Sequence, residues 1–278
     1  MLIDTHSHLN FKAFEEDKDE VIRQALKNDV WMINVGTNYK TSKKAVEIAR
    51  TYEKGIFAAV GLHPININHT IINYKRSIKT NAEDVLEEDF LFQKYKNLAR
   101  SEKVVAVGEI GLDYWFKPKG RRKQELFKEK QKEIFLKQLN LARDVEKPVI
   151  FHCRLAHSDL LNILDEYQKA KSGRLKGVVH CFTGDFSQAE KYLEMGFYLG
   201  FNGIIFKLDL KEIIKKTPLE RILVETDCPF LTPPGFPEER NNPLGVKFVV
   251  EEIARIRRMD FRELIKITNQ NALSLFNL

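Results

Sequence analysis

Six side chains of metal-binding type, His6, His8, Glu109, His152, His180 and Asp227, stand at or near the C-terminal ends of short apolar runs; the first two share one run. Imidazole nitrogens and carboxylate oxygens are ordinary protein ligands for divalent cations. Such a set predicts a metal-centred hydrolase, provided that the fold brings the run ends together.

In LIDTHSHL, His6 and His8 are two residues apart, and a strand repeats its facing every two residues. Both imidazoles therefore point the same way, and Asp4 points with them. Alone, the pair could equally cap a strand end and share a water. His152 in PVIFHCR and His180 in GVVHCFTG change that balance, because both have the same setting. Glu109 closes VAVGE, where an isolated ionised carboxylate is too costly to desolvate. It must be paired with a neighbouring lysine or arginine, or bound between cations. Asp227, in ILVETD, completes the ring, and Glu225 two residues earlier suits a hydrogen-bonding partner for a ligating histidine.

Eight strand-like runs must position these groups: LIDTHSHL, WMINV at 31–35, FAAVG from Phe57, VVAVGE from Val104, PVIFHC from Pro148, GVVHC from Gly177, FYLGF from Phe197 and ILVETD from Ile222. Amphipathic stretches separate them. In one, Phe127, Ile134 and Leu141 recur every seven residues beside Leu139, Ala142 and Val145. Apolar strands alternating with helices indicate a parallel sheet buried on both faces, α/β in class. A doubly wound open sheet shares that alternation. However, candidate ligands end the first, fourth, fifth, sixth and eighth runs, and only a closed (β/α)8 TIM barrel brings the first and eighth together.

A single TIM-barrel domain over residues 1–278 is expected, since barrels of about 250 residues are ordinary. No linker, repeat or low-complexity tract interrupts it. The stretch from Ile65 to Lys79 reads as an extended loop after the third strand. With no membrane-length apolar run and a first strand starting at residue 2, a soluble cytoplasmic protein without a signal peptide is expected. No obligate protein partner is evident. Cys153, Cys181 and Cys228 each follow a candidate ligand, so alternation turns them outward, into the layer between barrel and helices. Three thiols cannot pair completely, and their spacing suits neither a zinc knuckle nor a disulfide framework.

The formal charge of +6 and a pI near 9.0 favour polyanions, although a lysine-rich solvated surface gives the same totals. Position is more informative. Lys117, Lys119, Arg121, Arg122 and Lys123 follow the fourth strand and Lys75, Arg76 and Lys79 the third, which places both groups on the catalytic face. Lys169, Lys171, Arg174 and Lys176 precede the sixth strand and belong on the opposite face. Tyr114, Trp115 and Phe116 are placed either to stack on unpaired bases or to anchor their loop.

Taken in order, DTHSHL, VGLHP, VGEIGLDY, QLNLARDVEKPVIFHCR, HCFTG, FNGIIFK and ETDCPFLTP resemble the TatD-related metal-dependent DNases from the second residue to the C-terminal helix. The resemblance implies a metallo-dependent hydrolase barrel that cleaves DNA, typically as an exonuclease and sometimes as an endonuclease. It implies two divalent metal ions, one with His6, His8, Glu109 and Asp227, the other with Glu109, His152 and His180. Glu109 would bridge them, and Glu109 and Asp227 are the expected catalytic groups. His63, in GLHP, matches a position expected near the scissile phosphate. Arg154, two residues beyond His152, points to the same side and suits phosphate. Four imidazoles favour zinc or manganese, whereas the resemblance implies Mg2+. Two departures concern substrate positioning: Asn202 replaces the family's usual serine, and Arg240, Asn241, Asn242 and Pro243 stand for its Arg-Asn-Glu-Pro motif. An amidohydrolase or deacylase acting on an amide or aminoacyl ester is the alternative, but many of those carry a bridging lysine where this chain has Glu109. A nucleic-acid-binding barrel without metals is the third reading, and the intact ligand set opposes it.

Overall fold

The computed structural model describes residues 1–67, 90–171 and 174–278. Eight parallel strands follow one another around a ring: β1 Leu2–Ser7, β2 Val30–Val35, β3 Ile56–Val60, β4 Val104–Asp113, β5 Val149–Arg154, β6 Gly177–Val179, β7 Tyr198–Phe201 and β8 Ile222–Val224. A parallel bridge from Ser7 to Cys228, flanked by bonds from Asp227 N to His6 O and from His8 N to Cys228 O, joins the last strand's extension to the first. The TIM-barrel expectation holds.

The strands are rich in apolar residues because both faces are covered. Ile3, Ile33, Val35, Ala59, Val105, Ile150, Val178 and Leu223 belong to one cluster. Ala272, Leu275 and Phe276 of α9 (Phe261–Phe276) join it, and Asn269 of that helix donates to Met1 O at the foot of β1. A larger cluster packs the outer face of the ring against α1 (Lys18–Lys27), α2 (Tyr39–Arg50), α3 (Phe92–Ala99), α4 (Arg121–Asp144), α5 (His157–Ala170), α6 (Phe186–Glu194), α7 (Lys211–Lys216) and α8 (Val246–Arg257). Each fully buried Leu, Ile, Val or Phe stabilises the fold by about 1.5–3 kcal/mol. No helix among the described residues is long and apolar enough to cross a membrane.

Several expectations need correction. Glu109 is not at a strand end: β4 continues to Asp113, and its register with β5 shifts between Val107 and Ile110. Conversely β6 and β8 stop early, so His180 and Asp227 lie just beyond them. Cys153 and Cys228 are buried in the outer packing layer as expected, but Cys181 is not. Its φ of 45° breaks the strand alternation, and its thiol faces Asn202 Oδ1 at 3.5 Å. Of the stretch from Ile65 to Lys79, the structure describes the end of a 3-10 turn, Pro64–Asn66, and Ile67; Lys75, Arg76 and Lys79 lie outside the described residues.

Asp4 also departs from its expected place beside the histidines. The register of β1 shifts between Asp4 and Ser7, and the Asp4 carboxyl group is taken up by the end of β8, accepting from Thr226 N at 2.8 Å and meeting Thr226 Oγ1 at 2.6 Å. Burial pushes its pKa up to about 8, against those hydrogen bonds. It therefore clasps the first and last strands largely as a neutral acid. Asp4→Ala should cost about 1–3 kcal/mol by stranding buried donors, whereas Asp4→Asn, which mimics the neutral acid, should cost less. Urea unfolding near neutral pH checks this, and equal losses would contradict the neutral clasp.

Candidate metal centre

Glu109 is 3% exposed and lies at the centre of the barrel mouth. Its Oε1 is 2.7 Å from His152 Nδ1, 3.4 Å from His63 Nε2 and 3.6 Å from His180 Nε2. Its Oε2 is 3.4 Å from His6 Nε2 and 3.9 Å from His8 Nε2. Asp227 Oδ1 closes the other side, 3.3 Å from His8 Nε2 and 3.9 Å from His6 Nε2. The two Nε2 atoms of His6 and His8 are 3.1 Å apart, and the His6 and His180 rings stack at 3.6 Å. Burial would raise the Glu109 pKa, but the surrounding imidazoles outweigh it and hold the carboxyl well below its usual range.

Three sets of donor atoms lie within 4.8 Å of one another: His6, Glu109 and His180; His6, His8 and Asp227; and His63, Glu109 and His152. The structure thus gathers all six sequence-derived candidates and adds His63. Within that spacing His180 groups with His6 rather than with His152.

Hydrogen bonds behind the rings decide what each nitrogen offers. His8 Nδ1 is 2.9 Å from Val35 O, which can only accept, so the Nε2 lone pair faces the centre. His180 Nδ1 is 2.8 Å from Glu225 Oε1, an ion-pair contact rather than a well-angled hydrogen bond, and it puts Glu225 beside the ring as expected. Asn202 donates to the same carboxylate oxygen at 3.1 Å, fixing it from the other side. His63 differs: its Nδ1 accepts from Ile65 N at 2.9 Å, so the neutral ring presents an N–H at Nε2. Burial lowers its pKa to about 4 and keeps it neutral. His63 is therefore built as a donor, whereas His8 is built as a ligand. This donor set, with buried lone pairs and carboxylates converging on one point, fits divalent cations.

His152 has a carboxylate at each nitrogen: Glu109 at Nδ1 and, at 3.1 Å from Nε2, Asp113 Oδ2. Desolvation disfavours its charge, but those two contacts prevail and raise its pKa to about 9. Asp113 escaped the sequence reading, although its position four beyond Glu109 keeps the two-residue phase. Also unforeseen are two buried glutamines of α4. Gln131 bonds the N–H and carbonyl of Asp113, and Gln138 those of Leu62, beside His63. Gly111 is required between Glu109 and Asp113: its φ is 151°, and a Cβ there would lie 1.9 Å from His152 O. On the far side, Asn241 donates to Thr226 O and Phe230 O and braces the turn in which Asp227 adopts a left-handed φ of 56°. Arg240 pairs with Asp17, and Asn242 caps the 3-10 turn Pro243–Gly245, so the altered motif serves as scaffold. Arg154 lies exposed at the rim, its guanidinium over the Trp115 ring.

An eight-stranded parallel barrel with this mouth belongs to the metal-dependent hydrolases. The profile of the family described as TatD related DNase matches residues 3–277, and the chain belongs to that family. It is 40% identical to the uncharacterized metal-dependent hydrolase YabD of Bacillus subtilis, and the match spans 100% of both chains. It is also 30% identical to the 3'-5' ssDNA/RNA exonuclease TatD of Salmonella typhimurium, over 100% of this chain and 99% of that one. Among solved structures it resembles YJJV, a TatD homolog from Escherichia coli K12, with a TM-score of 0.80 and 30% identity over 100% of this chain and 98% of the other.

Removing the carboxylate charge behind His152 should loosen its orientation. Asp113→Asn is expected to weaken Mn2+ binding by about 10- to 100-fold, measured by calorimetry on metal-stripped protein; an unchanged affinity would mean that Asp113 does not support a ligand.

Proposed function

We propose that this chain is a metal-dependent deoxyribonuclease that hydrolyses DNA phosphodiester bonds through water activated at a two-cation centre, working from a chain end. The observation that carries the reading is the convergence of His6, His8, His152, His180 and Asp227 around the buried Glu109. Bound divalent cations, Mg2+ by family and Mn2+ or Zn2+ by donor chemistry, would polarise the phosphodiester and acidify a water.

The protein's own residues supply the rest. Glu109 faces both halves of the ring, through Oε1 and Oε2, and is placed to bridge. Asp227 is the ring's more open carboxylate, its side chain 16% exposed, and its imidazole neighbours overcome desolvation to keep it ionised. It is placed to orient the attacking water and to accept its proton. The His63 Nε2–H and the Arg154 guanidinium hold phosphate oxygens. The relative named 3'-5' ssDNA/RNA exonuclease supports the exonucleolytic reading. A deacylase would use similar donors, but Glu109 stands where many such enzymes bridge with lysine.

End-labelled single- and double-stranded DNA, incubated with EDTA, Mg2+, Mn2+ or Zn2+, tests the reading. Metal-dependent shortening from one end is expected, with Glu109→Ala and Asp227→Asn slower by about 100-fold or more, since each removes several kcal/mol of transition-state stabilisation. DNA left intact under every metal, or cut equally by the Glu109→Ala protein, would overturn it.

A further inference from the structure

We infer that Trp115 and Arg154 form a stacking platform for one unpaired nucleobase at the edge of the metal centre; this rests on the nuclease reading. Three neighbouring aromatic residues follow β4, and the structure separates their roles. Tyr114 is buried and donates through its hydroxyl to Asp159 at 2.7 Å, so it anchors the loop. Trp115 turns outward and is 52% exposed, a large apolar surface to leave in water. The Arg154 guanidinium lies 4.5 Å from the Trp115 ring centroid and 5.7 Å from that of Phe116, while the Trp115 and Phe116 rings stand at 90° to each other.

Guanidinium stacking leaves the N–H edge free for phosphate while the plane rests on the ring. Among the described residues, Arg154 has no carboxylate partner to occupy that edge. The exposed indole surface remains for a base. The pair thus offers the two surfaces that one nucleotide presents, a flat ring and an anion.

The platform is also tied to the metal centre. Trp115 N donates to Asp113 Oδ1 at 2.9 Å, and the other oxygen of that carboxylate faces His152 Nε2 at 3.1 Å. Tyr114 N donates to Arg154 O at 2.9 Å, extending the β4–β5 pairing into the loop. A single carboxylate therefore orients a candidate metal ligand and the backbone that carries the indole. Beyond Trp115 come five exposed cations, Lys117, Lys119, Arg121, Arg122 and Lys123, of which Arg121 pairs with Glu125 at 3.0 Å. An aromatic surface leading into a basic run suits a single strand, whose bases have open faces; in a duplex those faces are stacked away.

Comparing kcat/KM on a thymidine decamer with that on a decamer whose sugar-phosphate backbone lacks bases tests the inference. The ratio between the two substrates should fall by about 10- to 100-fold in Trp115→Ala, through KM, and stay within about threefold of wild type in Trp115→Phe. A ratio unchanged in Trp115→Ala would overturn the platform and leave the nuclease reading intact. If the wild-type protein cleaves neither decamer with Mg2+, Mn2+ or Zn2+, the nuclease reading falls and the platform with it.

Discussion

A carboxylate cannot stay ionised inside a protein without partners, and Glu109 meets that constraint at the centre of the mouth. Its partners are imidazoles from β1, β5 and the segments after β3 and β6. The carboxylates act on the rings in return: Glu225 and Glu109 push the His180 pKa up to about 10 against desolvation, and Asp113 and Glu109 push that of His152 up to about 9. A divalent cation at those nitrogens would compete with protons for the same lone pairs, so its binding there should strengthen as pH rises. The barrel makes this possible because only a closed ring of strands delivers donors from all sides to one point.

Around that ring the protein spends its buried polar groups on orientation. The Val35 carbonyl sets the His8 tautomer, and Glu225, held by Asn202, fixes His180. Asp113, held by Gln131, fixes His152. Gln138 performs the equivalent task for the segment leading to His63. The longest helix among the described residues, α4, thus does more than cover β4. Its two amides satisfy strand-end backbone groups that have no ladder partner and hold the loop geometry at the site.

Much of this was legible in the sequence because parallel strands buried on both faces leave apolar runs, and ligands at their ends stand out. All eight strands and all six candidate ligands were readable on that basis. What escaped had local physical causes. Period-two reasoning fails where the backbone leaves the extended region, and so misplaced Cys181, whose φ is positive. It also placed Asp4 beside the histidines, although the register shift in β1 and the acceptor-hungry Thr226 draw that carboxyl group into the strand clasp. Asp113 stays hidden because in sequence Glu109 reads as the end of a strand that in fact runs four residues further. Gln131 and Gln138 were invisible because glutamine on an amphipathic helix ordinarily marks the solvated face. His63 could be placed near the chemistry, but its role as an N–H donor depends on the bond from Ile65 N, which only the fold reveals.

In the proposed function Glu109 is shared between two divalent cations. Crystals grown with Mn2+ and measured at the manganese absorption edge would reveal that sharing. Two anomalous peaks flanking the Glu109 carboxylate, one reached by His6, His8 and Asp227 and the other by His152, are predicted. A single peak away from Glu109, or no peak at saturating Mn2+, would rule out a shared Glu109.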